Sequence, residues 1–416
     1  HPRNAPVASK ENGELKVKKD WDIKTLQDVC SMKITDGTHQ TPRYCNENEG
    51  GFPFISAKNV TKGIIDWDDI KYIVPELHEE LYKRIAPQRD DILLAKNGTT
   101  GVAAIVDVDK IFDIYVTLAV LRPNKKLIYP KYLLYIVNSN YCKVQFDAHL
   151  KGIGVPNLHL VEIQQVHIPV PPLEEQKRIV KILDEKFAQL ETIKVNAQTN
   201  LQNAKDLFQS KLTKAFSNTT WEKKAIGEVC SKKENIKWKN ENVSTEYQYI
   251  DLSAVDRESK NISDTQIITK ESAPSRAQQI VKTGDILFGT TRPTLKRFCL
   301  LADEYDGQIC STGFCVIRPN QNIISSDWMF YQFYNDEFYK YIEPLQKGAN
   351  YPAVTDKVIM NYSIFVPPLP EQKRIVKELD TLSEKVRQLQ EIYTKQIANC
   401  DELKQSYLQK AFEGEL

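Results

Sequence analysis

Two short acidic and basic triplets are the first candidates for chemistry in this 416-residue sequence. Glu175-Gln-Lys177 and Glu371-Gln-Lys373 imitate the Glu-x-Lys half of the motif of a metal-dependent nuclease. Each triplet falls in the first turn of a predicted long helix, and no acidic partner can be assigned to a nearby predicted strand. The triplets therefore do not predict a metal-dependent active site.

Other catalytic patterns are missing from the sequence. His39, in Asp36-Gly-Thr-His39, has no second His or Cys at ligand spacing, so we interpret it as a polar contact or a turn residue. The sequence contains neither a GxxxxGK[ST] loop nor an Asn/Asp-Pro-Pro-aromatic motif. Its eight cysteines form no CxxC pair, which favours buried free thiols. We predict a non-catalytic chain that binds no metal or cofactor of its own.

Charge and composition limit the partners. The net charge is +1, from 56 basic and 55 acidic residues, and no segment is strongly basic, so any contact with nucleic acid must be local. No uninterrupted apolar run of about 18 residues is present to cross a bilayer. Residues 1–10 lack the apolar core of a secretory signal. We predict a cytoplasmic protein without a membrane partner.

An internal repeat determines the predicted organisation. Residues 170–181 recur as residues 366–377, at an offset of 196, and nearly all of their residues are identical. The repeat predicts an unassigned N-terminal arm at 1–20, globular domains at 21–170 and 217–367, and helices at 171–216 and 368–416. The chain is thus predicted to contain two copies of one unit, each made of a globular domain followed by a long helix.

Each predicted globular domain combines strands with a helical segment. Short β-branched runs such as Ile92–Ala95 and Ile286–Phe288 predict strands, and residues 131–147 and 327–342 each predict a helical stretch. The aromatic residues of the second stretch have helical spacing, so we assign most of them to the core. The predicted fold class is α/β (α+β), in two copies that are joined by two long helices.

The segments after each Pro-Pro predict a coiled coil. Apolar residues recur there at gaps of three, four or seven. A lone helix of this length would leave its apolar seam exposed, so we predict antiparallel pairing, with the two domains at opposite ends of a rod and related by an approximate two-fold axis. The predicted seam residues are Ile179, Leu183, Leu190, Ile193, Leu201 and Phe208, with Ile375, Leu379, Leu382, Val386, Leu389 and Ile397.

The two domains differ most in their predicted loops. The loops of the first are 34–44, 54–62 and 96–101, and those of the second are 232–239, 249–256 and 289–297. Their Thr, Asn, Lys and Arg side chains can bond to phosphates or base edges, which predicts local DNA contacts. The candidates are Thr38, His39, Thr41, Lys58, Asn59, Lys62, Lys96, Asn97, Thr99, Thr100, Lys237, Lys239, Ser253, Thr290, Thr291, Arg292, Lys296 and Arg297.

The duplicated Pro-Pro-Leu-(Glu/Pro)-Glu-Gln-Lys-Arg-Ile-Val-Lys, together with residues 36–42 and 54–60, resembles the specificity subunit of type I restriction-modification systems. The resemblance extends from about residue 21 to the end. It implies two target-recognition domains that each bind one half of a split, asymmetric site in double-stranded DNA. It also implies spacer helices that dock two adenine-N6 methyltransferase subunits, which use S-adenosylmethionine, and association with restriction subunits that use ATP and Mg²⁺.

Two other interpretations of the whole chain stay open from the residues alone. One is a coiled-coil scaffold whose two domains bind proteins, and the other is a self-sufficient DNA-cleaving enzyme. The role of Gln-Lys-Arg at 176–178 and 372–374 is also open. It is a solvated helix face, a phosphate contact or part of the methyltransferase dock.

Overall fold

Short apolar and β-branched runs form the strands of the central sheets, and the apolar stripe after each Pro-Pro forms the long helices. The computed structural model describes residues 18, 20–60, 63–150 and 157–416. Lys62 and nearly all of the predicted N-terminal arm, residues 1–20, therefore lie outside the described residues. The chain divides into two compact units. The first comprises the residues up to Asn196 together with Lys395–Leu416, and the second comprises Ala197–Thr394.

The first unit contains mainly antiparallel sheets. Its strands are β1 (Asp22–Thr25), β2 (Thr35–Asp36), β3 (Tyr44–Cys45), β4 (Phe52–Ile55), β5 (Lys71–Ile73), β6 (Ile92–Ala95), β7 (Ala103–Ile105), β8 (Asp113–Ile114), β9 (Leu118–Leu121) and β10 (His167–Val170). Its helices are α1 (Pro75–Arg84), α2 (Pro130–Val137), α3 (Asn140–His149), α4 (Leu160–Gln165) and the beginning of α5 (Leu173–Phe216). The sheets have strand orders β2-β9-β6-β7, β3-β5-β4-β8 and β1-β10. Of these pairings, β4 with β8 is parallel.

The second unit repeats this plan. Its strands are β11 (Glu222–Ala225), β12 (Cys230–Ser231), β13 (Glu234–Asn235), β14 (Tyr247–Ile250), β15 (Gln266–Ile268), β16 (Ala277–Ile280), β17 (Ile286–Gly289), β18 (Phe298–Leu300), β19 (Ile309–Ser311), β20 (Phe314–Pro319) and β21 (Ser363–Val366). Its helices are α6 (Ser326–Gln332), α7 (Asp336–Ile342), α8 (Asp356–Met360) and most of α9 (Leu369–Glu413). The sheets have orders β12-β20-β17-β18, β13-β16-β19-β14-β15 and β11-β21.

The central sheet of each unit is buried on both faces. In β6, Ile92 and Leu94 join the core under the helices, whereas Leu93 and Ala95 join a second core on the opposite face. Successive side chains of a strand point to opposite faces, so one short strand supplies both cores. The strand ends, where the chain leaves this rigid layer, are therefore well positioned to hold exposed loops.

The two predicted helical stretches are each broken into two helices. Residues 131–147 form parts of α2 and α3, which separate at Asn138, whose side-chain amide exchanges two 2.9 Å hydrogen bonds with the backbone of Ala103. Residues 327–342 form parts of α6 and α7, and the Asn335 side chain accepts a hydrogen bond from the Glu337 backbone at the start of α7. The prediction of a helical stretch in each unit is confirmed, and the division of each stretch into two helices was not predicted. The prediction that the aromatic residues form core is confirmed, since Trp328 is fully buried.

The long helices pack together in an antiparallel direction within each unit. In the first, Lys194 of α5 lies 2.7 Å from Asp401 of α9, and Leu183 shares a core with Leu408. In the second, Phe208 of α5 shares a core with Leu379 of α9. The predicted fold class, two mixed domains with long paired helices, is confirmed. Among the described helices, none is both long and apolar enough to span a membrane.

A buried ion pair is repeated in the two domains. Arg122 donates two 2.8 Å hydrogen bonds to the carboxylate of Asp91, which is 1% exposed. Arg318 and Asp285 form the same bidentate pair at 2.9 and 2.8 Å. Each arginine joins the β9 or β20 strand to the turn before the neighbouring strand, so each pair ties together the two inner strands of the central sheet.

Asp91→Asn is expected to lower the free energy of unfolding by about 3 kcal/mol, because it leaves the guanidinium of Arg122 largely buried without its counter-charge. Urea denaturation followed by tryptophan fluorescence measures the change. Asp109→Asn is the matched control, since Asp109 pairs with Arg89 on the surface, with 77% of its side chain exposed. Equal unfolding curves for the two variants would contradict this role of the pair.

Candidate nucleic-acid interface

The loop after β2 is organised around the buried carboxylate of Asp36. Lys96, at the end of β6, places its ammonium 3.0 Å from this carboxylate, with 8% of its side chain exposed. His39 Nε2 lies 3.2 Å from it, and Arg84 of α1 lies 3.4 Å from it. Three basic side chains thus converge on one carboxylate, and Lys96 is occupied inside the domain rather than displayed on its surface.

Gly37 and Thr38 fasten this loop to the segment that follows β8. A Cβ atom on Gly37 would lie 2.0 Å from the carbonyl oxygen of Ile114. The Thr38 amide donates to that same oxygen at 3.3 Å, and Val116 donates its amide to the Thr38 carbonyl at 3.0 Å. Only glycine fits this approach, so the Asp-Gly-Thr-His sequence builds the loop and leaves His39 exposed at its tip.

Gly37→Ala is expected to force the loop away from the segment that follows β8, because the added methyl group would overlap the Ile114 carbonyl. Hydrogen exchange at the Thr38 and Val116 amides should accelerate at least tenfold, which corresponds to a loss of about 1.4 kcal/mol of local stability. Gln40→Ala, an exposed position in the same loop, should leave both amides protected. Unchanged exchange in the glycine variant would show that the loop does not depend on this contact.

The predicted contact residues of the first domain differ in exposure. His39, Thr41, Lys58 and Thr99 are exposed, and Lys58 also pairs with Asp69 at 2.5 Å. Asn97 and Thr100 are half-buried, whereas Thr38, Asn59 and Lys96 are buried. Asn59 donates its side-chain amide to the carbonyls of Asp66 and Asp69, so it organises a turn.

In the second domain, the loop after β17 contacts the segment 347–353. Arg292 has a left-handed backbone, with φ 48°, and its amide donates to the Pro352 carbonyl at 2.6 Å. The guanidinium donates to the Asn350 carbonyl at 3.1 Å and lies 4.9 Å from the centre of the Tyr351 ring. Tyr351 is 69% exposed. Loop 289–297 therefore shares its exposed surface with residues 347–353, which the sequence analysis did not assign to a contact.

The sequence contains one indication that the segment 347–353 has a role. Lys347-Gly348 and Pro352 recur at the repeat offset from Lys151-Gly152 and Pro156, but duplication alone gave them no role. The first copy of this segment lies in residues outside the described part of the chain. In the second domain, Lys347 and Ala353 exchange two 2.9 Å backbone hydrogen bonds that close the loop.

Three further cationic side chains lie in or beside loop 289–297. Lys296 pairs with Asp336 at 2.6 Å, and Arg297 donates to the Leu252 carbonyl. Lys260, which the sequence analysis missed, lies over the Phe298 ring at 4.3 Å from its centre. Burial first, and then the charge of Lys296, lower the pKa of Lys260 to about 8. All three cationic side chains are partly buried and have partners within the domain.

The remaining candidates of the second domain also differ in exposure. Lys237, Lys239, Ser253 and Arg292 are exposed, Thr291, Lys296 and Arg297 are partly buried, and Thr290 is buried. The hydroxyl of Thr290 donates to the Gly313 carbonyl at 2.8 Å.

Most predicted seam residues are buried, but two are exposed. Ile193 is 40% exposed and Leu389 is 38% exposed. Leu201, Leu382 and Ile397 are half-buried, and the buried residues are Ile179, Leu183, Leu190, Phe208, Ile375, Leu379 and Val386. The apolar contact is thus strongest where the helices also cover a globular domain.

Glu175 and Lys177 do not combine into a catalytic pair. Glu175 binds Arg178 at 2.7 Å, and Lys177 binds Glu174 at 2.8 Å, on the exposed side of α5. Among the residues that the structure describes, no group of three or more His, Cys, Asp or Glu side chains could hold a metal ion. All eight cysteines are free thiols, and burial raises the pKa of Cys30 and of Cys299 to about 12.

The chain thus contains two domains of the same architecture. Each has its own set of exposed polar loops and is attached to a long helix. This arrangement is typical of two-domain recognition proteins. The family model described as "Type I restriction modification DNA specificity domain" matches residues 18–201 and 218–397. The chain belongs to this family, so the predicted resemblance is confirmed, and so is the prediction of a non-catalytic subunit.

Two named relatives are similar in sequence along nearly the whole chain. The MjaVIII specificity subunit of Methanocaldococcus jannaschii is 25% identical over 393 residues, which cover 90% of this chain and 88% of that protein. The EcoKI specificity subunit of Escherichia coli is 24% identical over 442 aligned residues, which cover 96% of this chain and 90% of that protein.

Solved structures share the fold. A chain from work on "complex assembly and conformational transition of the type I R-M system" has a TM-score of 0.73 and 21% identity, covering 96% of this chain and all of that one. The HsdS subunit of Thermoanaerobacter tengcongensis has a TM-score of 0.56 and 22% identity, covering 97% and 99% of the two chains.

Proposed function

We propose that this chain recognises a bipartite, asymmetric site in double-stranded DNA, with one half-site bound by each recognition domain. The observation that carries the proposal is the contrast between a shared scaffold and unlike loops. The β6 and β17 strands occupy equivalent places in their sheets, yet β6 leads into Lys96-Asn-Gly and β17 leads into Thr290-Thr-Arg292. A duplicated scaffold with different polar loops suits two different DNA sequences.

The exposed members of the predicted set are the proposed DNA contacts. In the first domain these are His39, Thr41, Lys58 and Thr99, and in the second they are Lys237, Lys239, Ser253 and Arg292, to which we add Tyr351. We assign Lys96, Thr38, Asn59 and Thr290 to positioning these loops, because their polar groups are used inside the domain. A near-neutral protein needs such local cations to meet phosphates.

The long helices are the proposed spacer and dock. Paired helices of fixed length would hold the two recognition domains at one separation and so set the gap between half-sites. Their exposed sides would bind two adenine-N6 methyltransferase subunits, which carry S-adenosylmethionine, and restriction subunits that use ATP and Mg²⁺ would join that core. The chain itself supplies recognition and spacing in the cytoplasm.

Selection from a random duplex library tests the proposal. The complex of this chain with its methyltransferase subunits should enrich two short sequence blocks at one fixed separation, and the methyltransferase subunits alone should not. Enrichment of a single continuous block, or of none, would contradict it. Binding of proteins without selective DNA binding would favour the scaffold, and cleavage by the purified chain with Mg²⁺ would favour the stand-alone enzyme.

A further inference from the structure

A completely buried glutamine joins each long helix to its recognition domain. Gln176 is 0% exposed, and its side-chain oxygen accepts a 2.7 Å hydrogen bond from the Tyr129 amide. Its Nε2 donates to the carbonyls of Leu127, at 3.0 Å, and Pro171, at 2.7 Å. One amide group in the first turn of α5 therefore binds the loop before α2 and the Pro-Pro segment together.

Gln372 makes the same three contacts in the second unit. It is 0% exposed and accepts a 2.8 Å hydrogen bond from the Ser325 amide. It donates to the carbonyls of Ile323, at 2.9 Å, and Pro367, at 2.8 Å. All the partners recur at the repeat offset of 196, so this joint is preserved between domains whose loops differ.

A second attachment follows two turns along each helix. Asp184 of α5 accepts hydrogen bonds from the Tyr135 hydroxyl and, at 2.6 Å, from the Lys131 ammonium. Asp380 of α9 accepts one from the Tyr331 hydroxyl at 2.6 Å. Burial, followed by the hydrogen bond to Asp380, raises the pKa of Tyr331, so this phenol remains a donor at neutral pH.

Two attachment points fix a direction, whereas one would act as a pivot. The glutamine and the aspartate are eight residues apart in each helix, or about 12 Å along its axis. Each glutamine also satisfies buried backbone groups, which would cost free energy if left unpaired. The adjacent Lys177 and Arg178 are exposed and bind glutamates of their own helix, so the joint belongs to the buried residues.

We propose that Gln176 and Asp184, with Gln372 and Asp380, form a two-point brace that holds each recognition domain in one orientation on its helix. The brace makes the complex reject DNA sites whose half-sites have the wrong separation. These four are positioning residues, which touch no DNA. This inference rests on the proposed function, since it presumes a bipartite site with a fixed gap.

The test is the methylation of DNA duplexes whose gap between half-sites is correct, or one base pair shorter or longer, by the intact methyltransferase complex. Gln372→Ala and Tyr331→Phe should each reduce discrimination against wrong gaps about tenfold, because each removes one of the two attachments of the second domain. The phenylalanine variant removes only a hydroxyl group, so it answers the question even if the glutamine variant fails to fold. Gln202→Ala is the control, because Gln202 is exposed and donates to Asp206 on the same helix.

The ratio of rates separates positioning from general stability. A purely structural role would lower methylation of all three duplexes equally and leave their ratio unchanged, which would overturn the brace. The same conclusion follows if the phenylalanine variant keeps wild-type discrimination. If the wild-type complex itself shows no preference for one gap, the proposed function fails at that point and the variants are not its cause.

Discussion

Removing seven residues from each long helix is expected to shorten the recognised gap by about 3 base pairs and to leave both half-site sequences unchanged. The segments are 192–198 of α5, which contains Lys194, and 394–400 of α9, which directly precedes its partner Asp401. Both segments include the residues at which the two compact units divide. Seven residues correspond to about 10.5 Å of helix, and base pairs repeat every ~3.4 Å.

Seven is chosen because it is close to two full turns. The rotation lost differs from two turns by about 20°, so the apolar seam of each shortened helix would still face its partner helix. Removing facing segments also preserves the apolar pairing on both sides. Methylation mapping in cells that carry the shortened chain measures the new gap.

The control shortens α5 alone, which displaces the two apolar seams and should abolish methylation instead of shifting the gap. The prediction is contradicted if the half-site sequences change while the gap remains the same. That result would assign the spacing to the recognition domains and leave the helices only a docking role.

Arg292→Ala is expected to weaken binding of the complex to its DNA site roughly 5- to 150-fold, the range for losing a specific arginine contact to a base. Its guanidinium is exposed and is oriented by Tyr351 and the Asn350 carbonyl, so it is already held for a partner. An arginine placed by its surroundings loses less freedom on binding. Tyr351→Ala should therefore weaken binding in the same direction and to a smaller extent.

Filter binding at several salt concentrations distinguishes the kind of contact. Loss of a base contact should relax the sequence preference of one half-site, while loss of a phosphate contact should lower the salt slope by about 1. Arg89→Ala is the matched control, because Arg89 is an exposed arginine that binds Asp109 in the other domain. Equal affinities for wild-type protein and the Arg292 variant would remove loop 289–297 from the interface.

The architecture was predictable because it depends on patterns that are local or repeated. The offset of 196 and the apolar spacing after each Pro-Pro are properties of the sequence, and the long helices α5 and α9 follow them. The divisions at Asn138 and Asn335 were not predicted, because the Asn138 side chain bonds to Ala103, which is 35 residues away in the sequence, and the Asn335 side chain caps a new helix at Glu337.

The candidate contacts were less predictable, because exposure depends on partners that are distant in sequence. Lys96 and Asp36 are 60 residues apart, and nothing in either segment announces their ion pair. Thr38 is buried against Ile114 and Tyr115, which lie far along the chain. Gln372 shows the opposite situation, because it is a polar residue in a triplet whose role the sequence left open, and it is completely buried. The same types of polar residue organise loops and bind ligands, so residue type alone does not separate the two roles.

Recognition of a split DNA site by this chain is tested by mapping the methylated adenines in the genome of cells that carry the intact system, with this chain present or deleted. We expect one asymmetric motif, made of two different half-sites at a single separation, and its complete loss when the chain is deleted. A continuous motif, a motif with variable separation, or methylation that persists without the chain would show that the chain does not recognise such a site.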